Sequence, residues 1–292
     1  MTDVDTATGT LLRLAAFTTD PAGGNPAGVW LGDALPDAAE MQRIAGEVGY
    51  SETAFLAPDG SGEPGHLRVR YFSPAKEIDF CGHATIAAGV ALAERGWPPS
   101  LVVRTNDGSV DLDVARDADG RFQATLTSVE PWVRELPEDL LDRLLGLLAW
   151  QRTELDPTLP PALAFAGVRH PIIAVRALST LARVDYDFDP MRALMLEHDL
   201  TTLQLIWRES PTTFRARDPF AAGGVVEDPA TGAAAAALGA YMRARGELVP
   251  PASFEIVQGV EMGRPSRLVV AIVEDDPRVR VSGTAVPIAA TP

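Results

Sequence analysis

Two helical segments of this chain are apolar on nearly every side. The first opens at Gly82 and runs through Ala84-Thr85-Ile86-Ala87-Ala88-Gly89-Val90-Ala91-Leu92-Ala93 to Gly96; the second runs from Ala233 to Arg245 and stops at Gly246. A helix on a protein surface carries one apolar stripe, whereas a helix with no polar face has to be covered all round. Short strand-like runs surround both segments. That combination restricts the fold to an α+β architecture with a strand-wrapped helix, occurring twice. An offset of 150 lays Gly82 on Gly232, Ala84 on Ala234 and Arg95-Gly96 on Arg245-Gly246, with an arginine-bearing strand shortly upstream each time (Arg70, or Arg215 and Arg217). At roughly 150 residues per domain, 292 residues also make about two domains. Two similar lobes leave a cleft, and clefts between domains are favoured ligand sites.

The remaining periodicities fill in this plan. Strands are expected over 11–17, 27–31, 53–56, 67–72, 101–105, 110–114 and 122–126, with Asp107-Gly108 as a hairpin turn. An amphipathic helix over 37–48 places Met41, Ile44, Ala45 and Val48 on one face. The stretch from Ser128 to Pro137, with Pro131 and Pro137, reads as a connector. After it come a helix over 138–150, strands near 172–175 and 202–207, a helix near 191–198, and strands near 254–257, 267–272 and 279–281. Gly60-Ser61-Gly62-Glu63-Pro64-Gly65 matches a dinucleotide fingerprint only in letters. A strand follows it where a helix is required, so it reads as a surface loop.

Composition removes several chemistries. Forty acidic residues against 25 basic ones leave a net charge of −15, which repels phosphate backbones and anionic lipid. Neither nucleic acid nor a membrane is an expected partner. Lys76 is the only lysine, and Ala75-Lys76-Glu77 is no P-loop. Cys81 is the only cysteine, so no intrachain disulfide and no cysteine-based zinc cluster forms; a reduced, cytoplasmic setting is expected. His66, His83, His170 and His198 show no metal-binding spacing, and no metal is expected. The acidic start Met1-Thr2-Asp3-Val4-Asp5 has no signal-peptide layout.

The starts of the two buried helices carry the candidate chemistry. Cys81-Gly82-His83 and Asp228-Pro229-Ala230-Thr231-Gly232 leave backbone N–H groups at a helix N-terminus, where the dipole favours an anion. A small carboxylate is the expected ligand. Asp228-Pro229 fits an N-cap and first-turn pair, with Thr231 able to cap one turn later. His83 is a candidate proton donor or hydrogen-bond partner, and Cys81 a candidate thiolate. Two glutamates compete for the role of general base: Glu47 at the end of the first helix, beside Val48, and Glu52 in Ser51-Glu52-Thr53-Ala54-Phe55, whose facing a strand period leaves open.

These motifs also carry a resemblance. Phe17 with Gly24-Asn25-Pro26-Ala27-Gly28-Val29, then Ile44-Ala45-Gly46-Glu47 leading into Ser51-Glu52-Thr53-Ala54-Phe55, resembles the start of the phenazine-biosynthesis-like (PhzF-like) family. So do Arg70-Tyr71-Phe72-Ser73-Pro74 with Glu77-Ile78-Asp79-Phe80-Cys81-Gly82-His83-Ala84-Thr85, Glu227-Asp228-Pro229-Ala230-Thr231-Gly232, and Gln258-Gly259 with Gly263-Arg264-Pro265-Ser266. The resemblance implies a diaminopimelate-epimerase-like fold, two pseudo-symmetric lobes each with a β-barrel-like sheet around a central helix. The lobes would span 1–127, completed by a C-terminal strand over about 282–292, and 128–281. It further implies a cofactor-independent isomerase, active as a homodimer, that moves a proton on a small carboxylate. Matched by motif, Glu47 is the expected base, with His83 and Asp228 beside it and Gly82, Gly232 and Ala233 binding substrate. Ala233 stands where serine is common, and Gly49 where asparagine is frequent. Two other readings follow from these features: a binding protein that has lost turnover, and a single-thiol epimerase using Cys81 with Glu47.

Overall fold

The structure is a computed structural model that describes residues 4–6 and 9–289; residues 290–292 of the expected closing strand lie outside it. The chain divides into two compact units. The first holds the chain up to Thr127 together with the stretch from Ser282 onward; the second is Ser128–Val281.

In chain order the first unit contains β1 (Val4–Thr6), β2 (Gly9–Ala16), β3 (Asn25–Gly32), α1 (Ala38–Val48), β4 (Glu52–Pro58), β5 (His66–Phe72) and β6 (Glu77–Ile78). Then follow α2 (Gly82–Glu94), β7 (Ser100–Arg104), β8 (Ser109–Arg116) and β9 (Phe122–Thr127). The second unit contains β10 (Trp132–Glu135), α3 (Glu138–Leu147), β11 (Ala162–Phe165), β12 (Arg169–Val175), α4 (Leu178–Ala182), α5 (Phe188–Glu197), β13 (Gln204–Ser210) and β14 (Thr213–Pro219). It continues with β15 (Glu227–Asp228), α6 (Gly232–Ala244), β16 (Ala252–Gln258) and β17 (Ser266–Val273). The last strand, β18 (Asp276–Pro287), serves the second unit first and the first unit from Ser282.

The two units repeat one pairing pattern. In the first, β2–β3, β4–β5 and β7–β8 are antiparallel while β3–β4 and β5–β7 are parallel. In the second, β11–β12, β13–β14 and β16–β17 are antiparallel while β12–β13 and β14–β16 are parallel. Each parallel step needs a crossover, and α2 and α6 occupy the matching ones. The ring β2-β3-β4-β5-β7-β8-β9-β18 closes through β9–β18 and β18–β2, which leaves α2 inside an eight-stranded barrel. His83 to Leu92 are all buried on α2, and Ala234 to Met242 on α6. The expected fold class is borne out.

Glycine brings the sheets close to both helices. A Cβ on Gly89 would meet Ala124 Cβ and Leu112 Cδ2 at 3.0 Å; one on Gly239 would meet Val279 Cγ1 at 2.7 Å and Val270 Cγ1 at 2.8 Å. These two glycines obey the same offset of 150 as the helix starts.

α1 buries Met41, Ile44, Ala45 and Val48 against Leu11, Trp30, Phe55 and Phe72. Asp37 caps its start by accepting from Glu40 N at 2.9 Å, and Gly49 ends it at φ 70°. That conformation suits Gly and, next best, Asn. Gly49 is therefore explained by capping alone. The expected connector 128–137 is different: its middle forms strand β10, paired with β11.

Candidate active site

Each buried helix is preceded by a two-stranded step and an ion pair. In the first unit Arg70 of β5 grips Glu77 of β6, with Nε–Oε1 2.7 Å and Nη2–Oε2 2.6 Å. In the second Arg217 of β14, rather than Arg215, grips Glu227 of β15, with Nε–Oε1 3.0 Å and Nη2–Oε2 2.6 Å. These clamps fix where α2 and α6 begin. The Arg70 guanidinium holds the Glu77 carboxyl down at about 2.

At the first opening, Cys81 is the N-cap of α2, and its side chain makes no cap bond. A buried Tyr71 hydroxyl lies 2.6 Å from Thr85 Oγ1, which donates to the Cys81 carbonyl at 2.7 Å. Thr85 has committed its hydrogen, so Tyr71 is the donor to it. This chain anchors the first turn to β5. Glu52, the first residue of β4, turns its carboxylate toward this turn. Glu52 Oε2 lies 3.4 Å from His83 Nε2 and 3.7 Å from Cys81 Sγ. Cys81 Sγ lies 3.4 Å from His83 Nδ1 and 3.9 Å from Nε2. Cys81 and His83 are buried, and the Glu52 side chain is 17% exposed. A carboxylate, an imidazole and a thiol thus meet at the positive end of a helix, beside the Gly82 backbone.

Glu47 is not part of this group, which corrects the expectation that it is the base. Its side chain is 64% exposed and ion-paired with Arg43, one helical turn earlier. At about 100° per residue, Glu47 lies roughly 110° from the centre of the buried stripe of α1, in line with Glu40 and Arg43. A solvated, paired carboxylate has neither the burial nor the position a general base needs.

At the second opening Asp228 belongs to β15, so it does not cap the helix; Thr231 is the N-cap and Gly232 the first helical residue. The Thr231 hydroxyl donates to Asp228 Oδ2 at 2.6 Å and accepts no cap bond from the helix. Gln258 Nε2 donates to the Asp228 carbonyl at 2.8 Å and to Thr231 Oγ1 at 3.0 Å. Gly259 fits only without a side chain, since a Cβ would meet Pro229 O at 2.8 Å. Gly232 and Ala233 supply backbone N–H groups left over from the helical ladder.

The donor atoms of Glu52, Cys81 and His83 lie within reach of one bound ion. The helix N-terminus opposes a cation there and supports an anion, whereas the Glu52 carboxylate attracts a cation. No helix among the described residues is long and apolar enough to cross a membrane.

Comparison with known proteins agrees with the motifs. The family model described as phenazine biosynthesis-like protein matches residues 14–291. An uncharacterized isomerase of Bacillus subtilis is 31% identical, covering 94% of this chain and 95% of its own. The trans-2,3-dihydro-3-hydroxyanthranilate isomerase of Pseudomonas fluorescens is 32% identical, covering 93% and 94%. Among solved structures, a PhzF-family phenazine biosynthesis protein of Bacillus anthracis superposes with a TM-score of 0.85 at 27% identity, covering 97% and 98%. A probable proline racemase of Agrobacterium radiobacter shares the fold alone, with a TM-score of 0.64 at 14% identity over 96% and 91%. The resemblance read from the motifs holds, and the chain belongs to the phenazine biosynthesis-like family of isomerases.

Proposed function

We propose that this isomerase shifts a proton within a small carboxylate substrate without a cofactor, with Glu52 as the base. The supporting observation is the contact of Glu52 with His83 and Cys81 at the start of α2. Glu52 would take a proton from carbon, the electron pair would move through the adjoining double bond, and the proton would return at its far end. No oxidant or reductant is consumed. His83, hydrogen-bonded to the base, would hold it in place or carry the proton. Gly82 N–H would bind the substrate carboxylate, and Gly232 and Ala233 are retained as binding residues. Asp228 contributes to the same reaction in this reading.

Trans-2,3-dihydro-3-hydroxyanthranilate, the substrate in the name of the Pseudomonas fluorescens relative, is the first compound to test. Incubated in heavy water with the protein, it should take up solvent deuterium as it isomerises. Glu52→Gln should lower that rate by about 10²–10⁴-fold, and Glu47→Gln should leave it unchanged. Full exchange in Glu52→Gln refutes the assignment. Light scattering tests the accompanying expectation of a homodimer.

One observation favours a second reading. Cys81 Sγ contacts His83 Nδ1 at 3.4 Å, the arrangement that stabilises a thiolate. If the thiol is the base, Cys81→Ser abolishes exchange and Glu52→Gln does not.

A further inference from the structure

The three side chains gathered at the start of α2 form a metal donor set as well as an acid–base group. Glu52 Oε2, His83 Nε2 and Cys81 Sγ make a triangle: oxygen to nitrogen 3.4 Å, oxygen to sulfur 3.7 Å, sulfur to nitrogen 3.9 Å. A tetrahedral zinc ion has bonds of about 2.3 Å to sulfur and about 2.0 Å to nitrogen and oxygen, which sets the corresponding edges at roughly 3.3, 3.5 and 3.6 Å. Each side of the triangle is thus within about 0.3 Å of one face of that tetrahedron. Histidine spacing alone misses this set, because one donor comes from β4.

The fold holds the triangle in place before anything binds. Cys81 and His83 belong to the first turn of α2, which Thr85 and Tyr71 tie to β5. Glu52 opens β4, which pairs with β5 from Thr53 onward. Burial separates these donors from a surface cluster, since Cys81 and His83 are buried and Glu52 is mostly so. Their chemistry selects the ion. A thiolate and an imidazole suit zinc-class cations, whereas magnesium and calcium take six or more oxygen ligands. Three protein ligands leave a fourth position to water or substrate, the count of an open site. The helix start carries about half a positive charge, which opposes a bare cation. Bound zinc deprotonates a coordinating thiol outright, so the ion's two charges are matched by the thiolate and the carboxylate. The assembled complex is neutral, and the helix end no longer opposes it.

We propose that Glu52, Cys81 and His83 bind one thiophilic divalent cation of the zinc class, which shuts off the isomerase by occupying its base. Cys81 gives its proton to solvent, three coordinate bonds form, and no electron is transferred. Only the inhibition rests on Glu52 acting as the base.

The whole protein, stripped with a chelator, is titrated with cobalt(II) and with zinc. Cys81 is the only cysteine, so a thiolate-to-cobalt charge-transfer band reports this site and no other. The band should saturate at one equivalent and be bleached by zinc. X-ray absorption at the zinc edge of the wild-type protein should show one sulfur at about 2.3 Å. No cobalt band in wild type, or no sulfur on its zinc, overturns the proposal without any variant. Cys81→Ser should lose the band, and Glu52→Gln and His83→Gln should each weaken cobalt binding at least about 10-fold, as loss of a neighbour to a metal ligand already does. Unchanged affinity in both means that the thiol captures the ion alone, which also overturns the site. One equivalent of zinc should lower deuterium exchange by about 10²–10⁴-fold, as Glu52→Gln does, and a chelator should restore it. Zinc bound on sulfur with exchange unchanged overturns the inhibition. Failure of Glu52 as the base would show separately, as full exchange in Glu52→Gln with the wild-type cobalt band intact.

Discussion

The paired clamps Arg70–Glu77 and Arg217–Glu227 offer a test of burial with the motif held constant. The second pair is nearly dry, with side-chain exposures of 11% and 5%, against 24% and 28% for the first. Arg217 also donates through Nη1 to the carbonyls of Ala182 at 3.1 Å and Val184 at 3.2 Å, at the end of α4 and just beyond it. Glu227→Ala would strand a buried guanidinium without the carboxylate it is bonded to, which costs about 3–5 kcal/mol. Arg70 can recover water when Glu77 is removed, so Glu77→Ala should cost no more than about 1 kcal/mol. At ~2–4 °C per kcal/mol for domains of this size, Glu227→Ala should melt about 6–20 °C below wild type and Glu77→Ala at most about 4 °C below. Differential scanning calorimetry of the three proteins at pH 7 is the assay. Equal depressions, or a larger one in Glu77→Ala, would show that burial does not set the strength of these clamps.

Other outcomes follow from single residues. His170 titrates at about 4 when folded and near 6.5 when unfolded; the unfolded chain therefore takes up its proton first as the pH falls. The protein should lose about 3 kcal/mol between pH 6.5 and 4 on this account, and the melting temperature of His170→Gln should be flatter across that window. Gly239→Ala should destabilise by about 1–3 kcal/mol, because its Cβ would enter Val279 and Val270. Gly46→Ala, on the exposed side of α1 with nothing within 4 Å, should instead stabilise by up to about 1 kcal/mol; urea denaturation reads both signs.

Much of the frame was legible in the chain because apolar patterning is strong where burial is complete. The all-apolar segments, the 150-residue offset and the Asp107-Gly108 hairpin all reappear, Arg104 pairing with Ser109 across that turn. The elements that escaped are short or weakly patterned. β10 stands between two prolines, and α4 has only five residues. Choosing between Glu47 and Glu52 needed a different kind of information. Glu47 stands next to a buried residue in sequence, but on a helix adjacency says little about facing. The Arg43–Glu47 spacing of four was the available sign that this edge meets water. Glu52 opens a strand, where a period of two gives two faces and no means of choosing; its contact with His83 shows only in the folded chain.

The repeated frame and the unrepeated chemistry have a common physical origin. Both units need a dry helix, a close sheet and a clamp to set the helix start, and those demands constrain the glycines, the alanines and the Arg–Glu pairs. They place no demand on the N-cap side chain, which caps nothing in either unit. That position is therefore free to diverge, and it holds a thiol at Cys81 and a hydroxyl at Thr231. A thiol at the positive helix end gains from losing its proton. A threonine hydroxyl keeps its proton and can only point it at an acceptor, here Asp228. The first opening thus presents a thiol beside Glu52 and His83, and the second a hydroxyl whose hydrogen is held on Asp228.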